Sequence, residues 1–498
     1  MSSEAKPSGY ARPEAESRDQ NAGLDAPRSY DPLAGVFDAL KWSDLHARRG
    51  RVINLIGLII EATGLEAEVG EGCQVETGRN RDSVPAEVVG FRDSRTLLMP
   101  LGEMHGIGPG RAVTPTGEQF RVSVDNDLLG RVLDGLGRPL DDRGEAPTGR
   151  SVSTIAQAPD PMERAPIKER VSLGVRALDA LVPCGRGQRL GIFAGSGVGK
   201  SSLLGMIARS TSADVNVICL VGERGREVRE FIDRDLGSGL TRSVVVVATS
   251  DQPALVRIKA AFTATTIAEY FRDQGANVML MMDSVTRFAM AQREVGLAIG
   301  EPPATRGYTP SVFALLPKLL ERSGNNSTGS ITGLYTVLVD GDDMNEPIAD
   351  AVRSILDGHI VLSRDLAHAN HYPAIDVLSS VSRLVGEVVT PDVRAAGQNV
   401  RQLMAAYKEK ADLIAIGAYQ HGADPVTDLA IAKRDPINGF LRQRVDEPST
   451  ADEADELLMQ LGETPDTGHP APDTFEEVVQ PTPLAPGPSA IPPLHLAV

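Results

Sequence analysis

Hydrophobic positions along the chain fall into three regimes. From about residue 46 to 115, short apolar runs are separated by Gly, Asn and Asp: Val52-Ile-Asn-Leu-Ile56, Leu58-Ile-Ile60, Ala86-Glu-Val-Val89 and Leu97-Leu-Met99. That spacing predicts a small all-β barrel, with the turn cluster Gly106-Ile-Gly-Pro-Gly110 near its end. From about 120 to 385 the pattern changes. Nearly continuous apolar runs at Leu190–Phe193, Val215–Val221, Ser243–Ala248, Val278–Met282, Gly333–Val339 and His359–Leu362 alternate with helical stretches. Strands of that kind are covered on both faces, so an α/β parallel sheet is expected. Beyond 386, Val400-Arg-Gln-Leu-Met-Ala-Ala-Tyr-Lys408 and Val426-Thr-Asp-Leu-Ala-Ile-Ala-Lys433 read as amphipathic helices. The predicted division is a disordered polar arm (1–30), a β-barrel domain (31–115), an α/β core (116–385), a helical domain (386–460) and a disordered Pro-rich tail (461–498).

Composition narrows the class without naming a chemistry. Hydrophobic residues at 41% and charged residues at 23% are those of an ordinary globular protein. The formal charge of −17 argues against a general nucleic-acid binder, whose phosphate contacts need a basic face. Cys73, Cys184 and Cys219 have neither metal-ligand nor disulfide spacing, which fits a reducing, intracellular location. The first residues, Met-Ser-Ser-Glu-Ala-Lys-Pro, carry no apolar signal-peptide region, and no apolar run is long enough to span a bilayer.

The run Gly191-Ile-Phe-Ala-Gly-Ser-Gly-Val-Gly-Lys-Ser201 reads as a strand breaking into a Gly-rich loop and then a helix. Such a loop turns consecutive backbone N–H groups toward phosphate oxygens. The phosphate-cradling set is Gly195, Ser196, Gly197, Val198, Gly199, Lys200, Ser201 and Ser202, with Lys200 reaching the β/γ-phosphates and the Ser201 hydroxyl on Mg²⁺. One departure is visible, since Ala194 stands where the motif has its first glycine. Asp283 ends an apolar strand, as the Mg²⁺-linked aspartate of phosphate-loop proteins does. Glu223 follows another strand and is the candidate base for the attacking water. Glu227, one helical turn on, is placed near the metal's hydration shell. The alternative for both glutamates is a solvated helix start with local ion pairs. Arg383 follows small hydroxyl residues and is either an outward-aimed arginine that neutralises phosphate charge or a surface ion pair. Tyr372 is either a base-stacking ring or core.

Taken together these residues resemble the hexameric ATPase family that includes the rotary ATP synthase subunits. Pro373-Ala-Ile-Asp-Val-Leu-Ser-Ser-Val-Ser382 matches that family's signature P-[SAP]-[LIV]-[DNH]-x-x-x-S-x-S, and Gly130-Arg-Val-Leu-Asp-Gly-Leu-Gly-Arg-Pro-Leu140 resembles its barrel-to-core segment. Within the family, Gly222-Glu-Arg-Gly-Arg-Glu-Val-Arg-Glu-Phe231, Met282 to Glu294, Gly300 to Tyr308 and Ile416-Gly-Ala-Tyr419 are similar to the flagellar and type III secretion export ATPases. Leu98-Met-Pro-Leu-Gly-Glu103 favours the flagellar member.

The resemblance implies an N-terminal β-barrel, a central RecA-like phosphate-loop domain and a C-terminal helical domain. It implies ATP and Mg²⁺ as substrate and cofactor, with Lys200, Glu223 and Arg383 catalytic, Ser201, Asp283 and Glu227 toward the metal, and Tyr372 on adenine. Arg383 would act in trans, so one chain holding both it and Glu223 implies a ring of identical subunits. No second adenine-lining aromatic is evident; Phe440 is the only nearby candidate. Implied partners are further copies of the chain, a regulatory protein at the N-terminal region, and a coiled-coil stalk protein at the loop Gly300–Pro310, which otherwise reads as a packing turn. Export-gate and chaperone–substrate complexes, and peripheral contact with the inner membrane from the cytoplasm, complete the set. The rivals are an injectisome ATPase, a proton-coupled rotary subunit, a nucleic-acid translocase and a nucleotide-gated scaffold.

Overall fold

The computed structural model describes residues 49–78, 82–145, 147–339 and 343–463. The predicted arm at 1–30, residues 31–48 of the predicted barrel domain and residues 464–498 of the predicted tail lie outside them. Six antiparallel strands close into a barrel in the order Gly50–Ile56, Ile59–Thr63, Arg95–Pro100, Asp82–Arg92, Glu71–Thr77 and Ala112–Gln119, the last pairing back onto the first. Alternation of the pleat turns Val52, Ile60, Val75, Val88, Leu98 and Val113 into a dry interior. Glu71–Thr77 and Ala112–Gln119 were not marked by the hydrophobic pattern. Their apolar inward residues are few, Cys73 and Val75 in the first, and are spaced by polar positions.

The core sheet has the order Val381–Ser382, Gly358–Leu362, Arg189–Ala194, Ser330–Leu338, Asn277–Asp283, Val215–Val221, Ser243–Ala248 and Val132–Asp134. All of these pair in parallel except the short Val381–Ser382, so their carboxyl ends share one edge. Every residue of Val215–Val221 and Ser243–Ala248 is buried, which is why those strands read as unbroken apolar runs. All six predicted core strands are present. The segment Gly130–Leu140 contributes the strand at the far edge of this sheet.

The helices Pro391–Ala415, Pro425–Leu441 and Ala451–Gly462 follow, each started by a capping side chain: Thr390, Asp424 and Thr450. The third was not singled out by apolar periodicity because Ala454, Leu458 and Gly462 are its only buried residues. Its start is legible instead as a capping box between Thr450 and Glu453. Charged contacts fasten the parts together. Lys259 lies 2.5 Å from Glu87 of the barrel, and Arg170 lies 2.7 Å from Asp455 of the last helix. Phe440 is buried beneath this helical layer, so it does not line a base pocket. Among the described residues, no helix is long and apolar enough to cross a membrane.

Candidate functional site

The strand Arg189–Ala194 ends at the carboxyl edge and the chain turns through residues 195–199 into the helix Lys200–Ser210. Gly197 and Gly199 have φ of 81° and 90°, left-handed values that favour glycine. Ala194 is accommodated because it is still strand: it pairs with Leu338 and Leu362, and its methyl is buried in the sheet. At the next residue, a Cβ on Gly195 would lie 2.6 Å from the Arg364 guanidinium, the movable end of a flexible side chain. Val198 is buried and anchors the loop, whereas Ser196 and Ser201 are exposed and Ser202 is half-buried.

Sheet order brings the predicted acids to this loop. Asp283 ends the strand two places from the loop's own, and Glu223 follows the strand beyond that. The Lys200 ammonium donates to Asp283 Oδ1 at 2.5 Å and lies 3.7 Å from Glu223 Oε1. Thr336, on the intervening strand, donates to the same Asp283 oxygen at 2.8 Å. Burial pulls the Lys200 ammonium down, but the carboxylates of Asp283 and Glu223 more than offset it and hold the group above its usual range. Glu223 is pushed up to about 7, first by burial and then by the charge of Asp283; Lys200 opposes the rise and Glu227 adds to it.

Glu223 Oε1 is buried and accepts no hydrogen bond. A buried acceptor without a donor is costly and poised to receive one. Glu227 sits in the first turn of the helix Gly225–Glu230, ion-paired to Arg224 at 3.1 Å, so the local pairing weighed from sequence is present for this residue. Both still line the same cleft, about 560 Å³, with Gly195, Lys200, Ser201 and Arg287. Arg287 and Thr336 were missed by sequence reasoning. Arg287 lies within the run that carried the resemblance, four residues past Asp283, and helical spacing turns it back toward the edge. A cavity of about 670 Å³ lies across the helix Gly225–Glu230, against Val132 and Asp134, and holds none of the predicted site residues.

Tyr372 lies against the loop: a Cβ on Gly199 would be 3.5 Å from its ring, which is 40% exposed. Arg383 is not brought to the cleft. Its backbone N–H donates to Asp357 O at 3.1 Å, beside the amino end of the strand Gly358–Leu362, and its side chain is exposed. The residues present fit Mg²⁺-nucleotide. Among the described residues no three His, Cys, Asp or Glu side chains form a ready cage. Magnesium is commonly held by one or two carboxylates together with phosphates and waters, and the cleft offers the Ser201 hydroxyl and the Glu227 carboxylate, with Asp283 on Lys200.

Sequence profiles agree with the geometry. The ATP synthase alpha/beta family nucleotide-binding domain matches residues 174–382, the beta-barrel domain of that family residues 52–117, and the T3SS EscN ATPase C-terminal domain residues 389–460. The flagellum-specific ATP synthase of Bacillus subtilis is 55% identical over 429 residues, covering 86% of this chain and 98% of its own. The type 3 secretion system ATPase of Xanthomonas euvesicatoria is 51% identical over 418 residues, covering 83% and 94%. The assembled ATPase EscN of the enteropathogenic E. coli type III secretion system superposes with a TM-score of 0.79 at 48% identity, over 83% of this chain and 100% of that one. In complex with its central stalk EscO, EscN gives a TM-score of 0.77 over the same shares. The chain is an ATP hydrolase and belongs to the ATP synthase alpha/beta family, among the flagellar and type III secretion ATPases.

Proposed function

We propose that the chain forms a homohexameric ring that hydrolyses Mg-ATP to energise protein export at a bacterial flagellar type III secretion apparatus. The observation that carries this reading is the separation of Arg383 from its own cleft. Lys200, Glu223 and Asp283 meet at the carboxyl edge of the sheet, while Arg383 leaves at the amino end of an outer strand. An arginine so placed is free of its own cleft and available to a neighbour's nucleotide, and heterologous contacts that close by rotation give rings of identical sites.

In this mechanism Lys200 exchanges the Asp283 carboxylate for β- and γ-phosphate oxygens. Glu223 orients a water in line with the γ-phosphorus. As the water oxygen bonds to that phosphorus, the bond to the bridging oxygen of ADP breaks, and the water's proton passes to Glu223 or to the departing phosphate. Lys200, Arg287 and the neighbour's Arg383 meet the charge that develops. Ser201, with Asp283 and Glu227 behind it, would hold Mg²⁺, which supplies charge neutralisation between the phosphates. Tyr372 stacks on adenine.

Similarity to EscN, solved with its stalk EscO, supports a coiled-coil stalk partner at the loop Gly300–Pro310, whose residues 302–306 are exposed. A regulatory partner at the N-terminal region, chaperone–substrate and export-gate contacts, and peripheral association with the inner membrane from the cytoplasm belong to the same proposal. Flagellum-specific relatives at 55% and 54% identity support the flagellar assignment. The 51% identical secretion relative favours an injectisome as the second reading. Deleting the gene separates them: loss of flagellar filaments supports the first, and loss of effector secretion with filaments intact supports the second.

Subunit mixing tests the ring. Glu223→Gln and Arg383→Ala should each abolish turnover while nucleotide still binds. Mixed in equal amounts they should recover roughly a quarter of the wild-type rate, because each Arg383→Ala subunit beside a Glu223→Gln neighbour has a complete site. Failure to recover, or an Arg383→Ala enzyme at full rate, would overturn the trans assignment.

A further inference from the structure

Gln443 is 5% exposed and every polar atom of its side chain is used. Its Nε2 donates to Gly174 O at 2.9 Å and to Glu447 O at 2.8 Å, and its Oε1 accepts from the Arg176 N–H at 2.9 Å. Its own backbone N–H donates to Tyr372 O at 3.0 Å. Arg176 reinforces the clasp by donating to Phe440 O at 3.1 Å and Arg442 O at 2.6 Å, so the exit of the helix Pro425–Leu441 is tied to the start of the core. Tyr372 therefore has two supports. The loop glycine Gly199 lies against its ring, and the segment led by Gln443 holds its backbone. Phe440 is buried in the helical layer, so a base on the Tyr372 ring would rest on that ring's exposed face.

We infer that Gln443 is a positioning residue for the nucleotide base: its side-chain clasp fixes the segment that holds Tyr372, and so sets affinity for the base without touching the phosphates. This rests on the proposed stacking role of Tyr372. A side chain whose donors and acceptor are all satisfied by backbone loses three hydrogen bonds at once when truncated, and the segment it organises is freed. The cleft that would take the triphosphate is lined by the loop and Lys200, and neither Tyr372 nor Gln443 lines it.

The test compares ATP with inorganic tripolyphosphate, which has no base, as a competitive inhibitor of the intact protein. Gln443→Ala should raise KM for ATP about three- to tenfold, leave kcat within about twofold, and leave the inhibition constant of tripolyphosphate unchanged. Tyr372→Ala should show the same pattern. The double variant should be no worse than the worse single one, because the two act as one unit. Should Gln443→Ala fail to fold, Gln443→Glu keeps the acceptor for the Arg176 N–H, removes both donors, and should still raise KM for ATP selectively. A rise in the tripolyphosphate constant to match KM, or additive effects in the double variant, would overturn the inference. If Tyr372→Ala raises KM and neither Gln443 variant does, the positioning role is wrong while base stacking stands; if Tyr372→Ala itself leaves KM unchanged, it is the stacking role that fails.

Discussion

The Lys200 ammonium and the Asp283 carboxylate stand 2.5 Å apart, with Glu223 3.7 Å from the same nitrogen. Lys200 thus contacts both acids at once. Lys200→Ala should remove it and leave Asp283 and Glu223 facing each other. ATPase rate should fall by about 10² to 10³. In the nucleotide-free protein, stability should fall by about 2 kcal/mol at pH 8 and by less at pH 5, where the Glu223 carboxyl is protonated. Urea unfolding of both proteins at the two pH values measures it, and an equal loss at both would show that the acids are not held by Lys200.

Glu223→Gln should raise stability at alkaline pH even as it abolishes turnover. The native carboxyl titrates at about 7, above its ordinary value of 4.5. Its contribution to stability is fully present below 4.5 and is lost as pH rises through 7, because the native state must then carry a buried charge. The variant never meets that loss. With the cleft open to water and a Lys200 partner forfeited, we expect a gain of about 1 kcal/mol at pH 8 that vanishes near pH 5. Melting temperatures across that range decide it, and a variant less stable at pH 8 would contradict the burial of Glu223.

Under the proposed mechanism the same carboxyl sets the acid limb of activity. As a base Glu223 must be ionised, and kcat/KM reports the free enzyme. The profile should rise with pH through about 7 and then level. A limb near pH 4 to 5 would mean that a solvated carboxylate does the work.

Gly199→Ala tests the loop. Its φ of 90° disfavours any Cβ, although that Cβ would only touch the Tyr372 ring at 3.5 Å, so the cost is backbone strain. A loss of about 1 to 2 kcal/mol in stability is expected, with nucleotide affinity, followed by calorimetry, falling at least tenfold. Gly225→Ala is the control, since a Cβ there meets nothing within 4 Å.

Packing far from the cleft gives a purely structural prediction. Arg322, 1% exposed, lies in a fork with Glu269 at 2.5 Å and 2.8 Å, and donates to Thr154 O at 2.7 Å. Glu269→Ala strands that charge and should cost about 3 to 5 kcal/mol, read by chemical denaturation, with KM for ATP unchanged in the protein that remains folded.

The sequence by itself determined the local chemistry. Unbroken apolar runs require strands buried on both faces, glycines at 197 and 199 require a left-handed loop, and Lys200 and Ser201 open the helix that follows. These are short-range consequences of sterics and burial, so they are legible residue by residue. Strands Glu71–Thr77 and Ala112–Gln119 were not, because barrel closure rather than their own hydrophobicity orders them. Tertiary structure alone decided which distant residues share the cleft. Strand order puts Asp283 and Glu223 beside Lys200, brings in Thr336 and Arg287, turns Phe440 into core, and sends Arg383 to the opposite edge. Register and crossover are set by the packing of the whole sheet, and no window of sequence contains them.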